Sequence, residues 1–250
     1  MSQGVQLSLA RCDKDPIMAE PVHRPPMFLG LIAAAFSWAL AVPSLAADRS
    51  VNAHTAAPQP PTRADADFAV AEVALARGDI ARAVKLYDAL AHQGFPLAQF
   101  NLAVLLSQGD APDRPGALLL LHTAAAHGYA PAMYALGQAF EYGLLGTRDL
   151  AQSTRWYEQA AGLGDNEAAL SAGLAYYMGR GAPQDMTIAA GYLLQAARAG
   201  DVAAQYIYAR MCETGDGVAQ DLRIAAYWYQ AAAKNGDVGA AIKARELADH

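Results

Sequence analysis

Residues Ala132–Asp165 read AMYALGQAFEYGLLGTRDLAQSTRWYEQAAGLGD, and the small and aromatic positions of this stretch return in kind 36 residues later. Gly128, Gly164, Gly200 and Gly236 mark the same interval, each preceded by an alanine pair: Ala124-Ala125, Ala160-Ala161, Ala196-Ala197 and Ala232-Ala233. Asp113, Asp149, Asp185 and Asp221 keep the step, as do Gly143, Gly179 and Gly215, with Gly109 displaced by a two-residue deletion in its loop. A fixed period between roughly 20 and 50 residues signals stacked supersecondary units that cannot bury their apolar faces alone.

Inside one unit the apolar residues follow the helical period of about 3.6. In the unit that opens at Ala168, the stripe Ala168, Ala172-Gly173 and Tyr176 predicts a first helix. It ends at Gly179, where a missing Cβ permits the left-handed conformation that closes a helix. After a loop with Gly181 and Pro183, Asp185 is placed to cap a second helix, because its carboxylate can accept from the open amides of the first turn. The inner stripe of that helix is Ala189, Tyr192-Leu193 and Ala196-Ala197. Gly200 stops it, and Asp201 opens the next unit.

The other units repeat the plan. First helices carry Ala98, Leu102-Ala103 and Leu106, then Ala132, Leu136-Gly137 and Phe140, then Ala204, Tyr208-Ala209 and Cys212. Second helices carry Ala117 and Leu120-Leu121, then Ser153 and Trp156-Tyr157, then Ala225 and Trp228-Tyr229. Small residues let two backbones approach, and the aromatic beside them fills the space to the next pair. The expected fold is all-α: an α-solenoid, a right-handed superhelix of antiparallel helix-turn-helix repeats spanning 96–129, 130–165, 166–201 and 202–237. Residues 67–95 read as an N-terminal capping hairpin, with helices Phe68–Arg77 and Ile80–Gln93 around the turn Gly78-Asp79. Residues 238–250, with Lys243, Arg245 and Glu246, read as a polar closing helix. The helical-repeat domain is thus expected over 67–250.

The pattern Ala-x3-Leu-Gly-x2-Phe-x2-Gly, a loop, then Asp-x3-[Ala/Ser]-x2-Trp-Tyr-x2-Ala-Ala-x2-Gly-Asp resembles the Sel-one-like repeat (SLR) family, a branch of the tetratricopeptide superfamily, over Pro96 to Asp237. An ordinary tetratricopeptide motif has a period of about 34, which only the step from Gly94 to Gly128 shows. The resemblance implies a non-catalytic adaptor that binds another protein. Exported bacterial members of the family imply a role in periplasmic signalling, secretion or envelope assembly. Cysteine-rich members staple each repeat with a cysteine pair and are linked to β-lactam binding or hydrolysis. This chain lacks those pairs, so that link is not carried over; a hydrolase of cell-wall or β-lactam substrates stays as the disfavoured rival reading, and a secreted host-interaction factor is a third.

Near the start, Met27–Val42 (MFLGLIAAAFSWALAV) is an uncharged run of 16 residues after Arg24, followed by Pro43 and Ser44-Leu45-Ala46. It is shorter than the roughly 20 residues a spanning helix needs, and small residues stand at both positions a signal peptidase reads. Residues 1–46 are therefore expected to hold a secretory signal, cut after Ala46 or after Ala47, with an uncleaved anchor as the alternative. Asp13, Asp15 and Glu20 offset Arg11, Lys14 and Arg24, whereas an export signal wants a net positive start, so Met18 reads as the initiator. Residues 47–66 are rich in Ala, Pro and Thr without an apolar period, the composition of a flexible linker. Export would leave Cys212 as the one cysteine of the mature chain and no internal disulfide. Cys212 stands where Leu106, Phe140 and Tyr176 stand elsewhere, so a buried small hydrophobe is expected over an intermolecular disulfide.

A net charge of −6 argues against a strongly basic nucleic-acid binder. His92, His122 and His127 are the histidines inside the repeats, and the five-residue step from His122 to His127 is not the i, i+4 spacing of two ligands on one helical face. Solvated or capping roles are expected for them. The repeated aspartates occur once per hairpin, which separates them too far for paired acid and base work. Arg77-Gly78-Asp79 coincides with a turn and a cap, and the loop Gly215–Asp221 lacks the alternating oxygen ligands of a calcium site. No catalytic, cofactor-binding or metal residues are expected.

What remains is surface. First-helix residues pointing away from their hairpin partner should line the concave side, where solenoids bind partners. The period places Asn101, Val104 and Gln108 there, then Ala135, Gln138 and Tyr142, Ser171, Leu174 and Met178, and Ile207, Arg210 and Thr214. The partner-binding candidates are Asn101, Gln108, Gln138, Tyr142, Leu174, Met178, Ile207 and Arg210, with Tyr142, Leu174, Met178 and Ile207 as apolar anchors. The alternative is that superhelical twist tucks some of them between repeats. A monomer is expected, with a protein partner and no membrane insertion once the signal is removed.

Overall fold

A helix of 11 to 14 residues, the range found here, is marginal alone in water, so each helix of this chain needs caps and a neighbour. The computed structural model describes residues 62–108 and 111–248, and these form eleven helices and no strand. Helices α1 (Arg63–Ala76) and α2 (Ile80–His92) make the first hairpin. Four more hairpins follow: α3 (Pro96–Leu106) with α4 (Arg114–Ala126), α5 (Ala130–Tyr142) with α6 (Leu150–Gly162), α7 (Asn166–Met178) with α8 (Met186–Arg198), and α9 (Val202–Thr214) with α10 (Leu222–Lys234). Helix α11 (Val238–Ala248) closes the series. Each helix packs on the ones before and after it, and α5 also touches α7, the arrangement of an α-solenoid. No helix of the described residues is long and apolar enough to cross a membrane.

The aspartate series does the capping its spacing suggested. Asp113 accepts from the Gly116 amide, Asp149 from Gln152, Asp185 from Thr187 and Ile188, and Asp221 from Arg223 and Ile224. Asp165, Asp201 and Asp237 cap first helices in the same way. Where that aspartate is missing, at Phe95 and Tyr129, a proline stands in the first turn instead, at Pro96 and Pro131, and needs no amide partner. The tripeptide Arg77-Gly78-Asp79 is a turn whose aspartate accepts from the Arg82 amide.

One boundary differs from the sequence reading. Helix α1 begins at Arg63, not Phe68, and so includes residues assigned to the linker. Thr62 and Asp65 form a reciprocal capping box, each side chain taking the other's backbone amide. The apolar stripe of α1, Phe68, Ala71 and Ala74, starts only after this polar turn, which hid it. The signal, Met18, the rest of the linker, and His23, His54 and His250 lie outside the described residues.

The alanine and aromatic stripes form the core. Ala132, Leu136, Tyr157, Ala168, Ala172, Leu193, Ala204, Tyr208, Cys212 and Tyr229 belong to one continuous buried cluster. Phe68, Tyr87, Leu90, Ala98 and Leu102 belong to a second one under the first hairpin. A Cβ on Gly137 would lie 2.4 Å from the Tyr157 ring, so the glycine makes room for the aromatic that crosses from α6. Gln99 and Gln205 are buried as well and donate to the carbonyls of Ala91 and Ala197. Those bonds tie α3 and α9 to the end of the hairpin before each.

The loops inside hairpins set how one repeat sits on the last. Gly181 and Gly217 have φ of +81° and +72°, and a Cβ on either would fall 2.2 Å from a backbone carbonyl of the preceding repeat, that of Leu150 or Met186. The corresponding residue of the second repeat is Leu145. There a small apolar cleft of about 20 Å³ opens among Val104, Leu121, Ala139, Leu144 and Leu145.

Candidate partner-binding face

Each proposed anchor depends on where its first helix ends and on what its neighbour covers. Tyr142 and Met178 close α5 and α7 at equivalent positions and are 64% and 49% exposed. Gln108 and Arg210 are also exposed. Asn101, Gln138, Leu174 and Ile207 are half-buried, as are Val104 and Ser171. Ile207 packs against the core, and Asn101 lies beside the buried hydroxyl of Tyr87, which finds no well-aligned hydrogen bond among the described residues. Ala135, placed on the open face by its spacing, is buried at 3%. Helix α5 is covered by α4, α6 and α7 together, which leaves only the end of its outward stripe in water.

Beneath that face runs a set of tyrosine hydroxyls. Tyr157 donates to Glu141 Oε2 at 2.7 Å and Tyr229 donates to Glu213 Oε2 at 2.6 Å, each reaching across its own hairpin. Tyr176 donates to Glu158 from the next repeat. On the far side, Lys243 Nζ lies 3.1 Å from Glu213 Oε1, and the Arg180 guanidinium lies 3.8 Å from Glu141 Oε1. Burial first, and then the facing carboxylate, push the proton affinity of Tyr157 and Tyr229 well above the ordinary phenol range. The hydrogen bond from Tyr229 is the main cause holding the Glu213 carboxyl below its usual range, with Lys243 adding to it. Tyr134, its ring tilted against that of Tyr157, is pushed up to about 12, chiefly by burial and then by Glu167 and Asp165.

Three residues at the end of α5 were not among the expected ones: Glu141, Arg148 and Arg180. The Nε of Arg148 donates to the Glu141 backbone carbonyl at 2.8 Å. In the next two repeats a glutamine does this job, Gln184 to the Tyr177 carbonyl at 2.9 Å and Gln220 to the Glu213 carbonyl at 2.8 Å. The signal was present in the chain as a departure from the repeat, Arg148 against Gln184 and Gln220, at a position with no place in the apolar stripes.

The histidines stay apart. His92 is exposed with its ring nitrogen 2.8 Å from the Asp88 carbonyl, and His127 ends α4 with its ring 3.3 Å from Gln99 Oε1. His122 lies edge-on against Trp156, and burial lowers its pKa. Among the described residues no group of three or more His, Cys, Asp or Glu could hold a metal ion.

A family model described as Sel1 repeat matches residues 96–129, 130–165, 166–201 and 202–237, more than half of the chain. The chain is similar to a solved Sel1 repeat protein from Oxalobacter formigenes, with 34% identity and a TM-score of 0.60 over 66% of this chain and 49% of that one. It is similar also to c5321, a protective antigen of uropathogenic Escherichia coli with an SLR fold, at 26% identity and a TM-score of 0.66 over 72% of this chain and 40% of that one. The mouse protein DAP3-binding cell death enhancer 1 is 34% identical over 87 residues, 35% of this chain and 17% of its own length. The chain therefore spans half or less of each of these relatives. Sel1 repeats mediate protein–protein interaction, and with helices, loops and caps all following that unit, the chain belongs to the Sel1 repeat family.

Proposed function

We propose that this protein is a non-catalytic adaptor that binds another protein through the face of its first helices, around Tyr142 and Met178. The observation that carries the reading is the exposure of these two large apolar side chains at equivalent ends of neighbouring helices, 64% and 49%. Side chains of this kind anchor interfaces, since water gains little from them and a partner's pocket gains much. The aspartates that looked like a carboxylate series are engaged as helix caps, which supports a structural role for them. The mouse relative is named as a binder of another protein, in keeping with this reading. Capture with purified protein tests it: Tyr142→Ala and Met178→Ala should lose proteins that the unaltered chain retains. An unchanged captured set from both variants would show the face to be wrong, and turnover of a chromogenic cephalosporin that survives repurification would overturn the non-catalytic part.

The second part of the proposal is that the adaptor works after export, in the periplasm of a Gram-negative cell, serving signalling, secretion or envelope assembly. The apolar run Met27–Val42 and the small residues at Ser44 and Ala46 support it. N-terminal sequencing of the cell-fractionated protein should find a chain starting at Ala47 or Asp48. A chain recovered from the cytoplasm with Met27–Val42 still attached would refute export.

A further inference from the structure

We propose that the end of α5 recognises a carboxylate, so that the segment bound there presents an acidic side chain next to an apolar one. This rests on the adaptor reading and names the chemistry of its partner. The structural task at position 148 is a single N–H donated to the last carbonyls of a first helix, and glutamine performs it in two other repeats. Arg148 performs it with Nε alone, which leaves the two terminal nitrogens of its fork unused. No carboxylate of the described residues lies within ion-pair distance of Arg148. The second cation, Arg180, is 48% exposed and only loosely held, 3.8 Å from Glu141 Oε1. That carboxylate is itself engaged from behind, because its other oxygen accepts from Tyr157 at 2.7 Å. Two exposed guanidinium groups thus flank Glu141, Arg148 on its backbone carbonyl and Arg180 loosely on its carboxylate, and one carboxylate stands against two positive charges. In the fourth repeat the matching carboxylate, Glu213, is met at 3.1 Å by Lys243, and Gln220 stands where Arg148 does.

A planar fork binds a carboxylate through two parallel hydrogen bonds, and the flanking Tyr142 and Met178 supply apolar contact for the residue beside it. The test uses the full chain and a fluorescein-labelled peptide of alternating leucine and glutamate, with the leucine–glutamine peptide as control, read by anisotropy. The glutamate peptide should bind about tenfold or more tightly than the glutamine peptide, and the paired change Arg148→Gln with Arg180→Gln should erase that preference. Arg148→Gln copies the residue used by the other repeats, so thermal melts of the variant should match the unaltered chain. Equal affinity for the two peptides, no binding of either, or a preference that survives the paired change would each overturn the proposal. If Tyr142→Ala and Met178→Ala abolish capture of a natural partner while the arginine changes leave it intact, the face stands and the carboxylate chemistry falls.

Discussion

A single hydrogen atom in place of a methyl group decides how the third and fourth repeats seat. Gly217 sits at φ +72° with the Met186 carbonyl where its Cβ would be, so Gly217→Ala combines left-handed strain with a backbone clash. The expected loss is about 3 kcal/mol, against about 1 kcal/mol for Gly164→Ala, where φ is +91° but the space is open. Urea unfolding of the two variants checks it, and equal midpoints would contradict the seat. Tyr157→Phe removes the hydroxyl from Glu141, whose side chain is still partly wet, so about 1–2 kcal/mol should be lost by the same assay. At this scale the chain was half legible. Ala168, Ala172 and Cys212 announced their burial through spacing, whereas Arg148 shows only as a departure from Gln184 and Gln220, and both it and Glu141 stand outside the apolar stripes.

Among the helices, the caps were the most readable feature because a cap is local: one aspartate and amides two or three residues on. Asp185→Ala should therefore cost about 1 kcal/mol and Asp185→Asn much less, seen as a shift in thermal midpoint. A loss equal in both variants would argue that the charge, and not the acceptor geometry, holds α8. The start of α1 escaped because its first turn is polar and its buried stripe begins later, at Phe68. Ala135 escaped for the opposite reason. A helical wheel knows the direction of a side chain within its own helix, but α5 is flanked by three helices, and the third one is contributed by the next repeat.

Across the whole molecule the tyrosines couple folding to alkaline pH. Burial, followed by nearby carboxylates, raises Tyr134 from 10.0 to about 12, and Tyr157, Tyr176 and Tyr229 are shifted in the same direction. Between pH 10 and pH 12 the folded chain holds protons that the unfolded chain has released, so stability is complete below about pH 10 and falls as pH rises. Melting temperatures should drop through that window, with phenolate absorbance rising together with unfolding. Phenolate that appears fully in a still-folded chain would refute the coupling. The repeat number and order were legible from end to end, because period is a property of sequence. The half-burial of Leu174 and Ile207 was not, since small rotations between repeats decide it. Those rotations are not fixed equally. Backbone rests on backbone at Gly181 and Gly217, while the second repeat meets the first through the side chains of Leu144 and Leu145 beside a small apolar cleft. The junction ahead of that loop should therefore yield more readily than those behind it, and the leading hairpins should swing as one arm when something is gripped. Spin labels straddling Leu145 are expected to give a broader spread of distances than labels straddling Gly217.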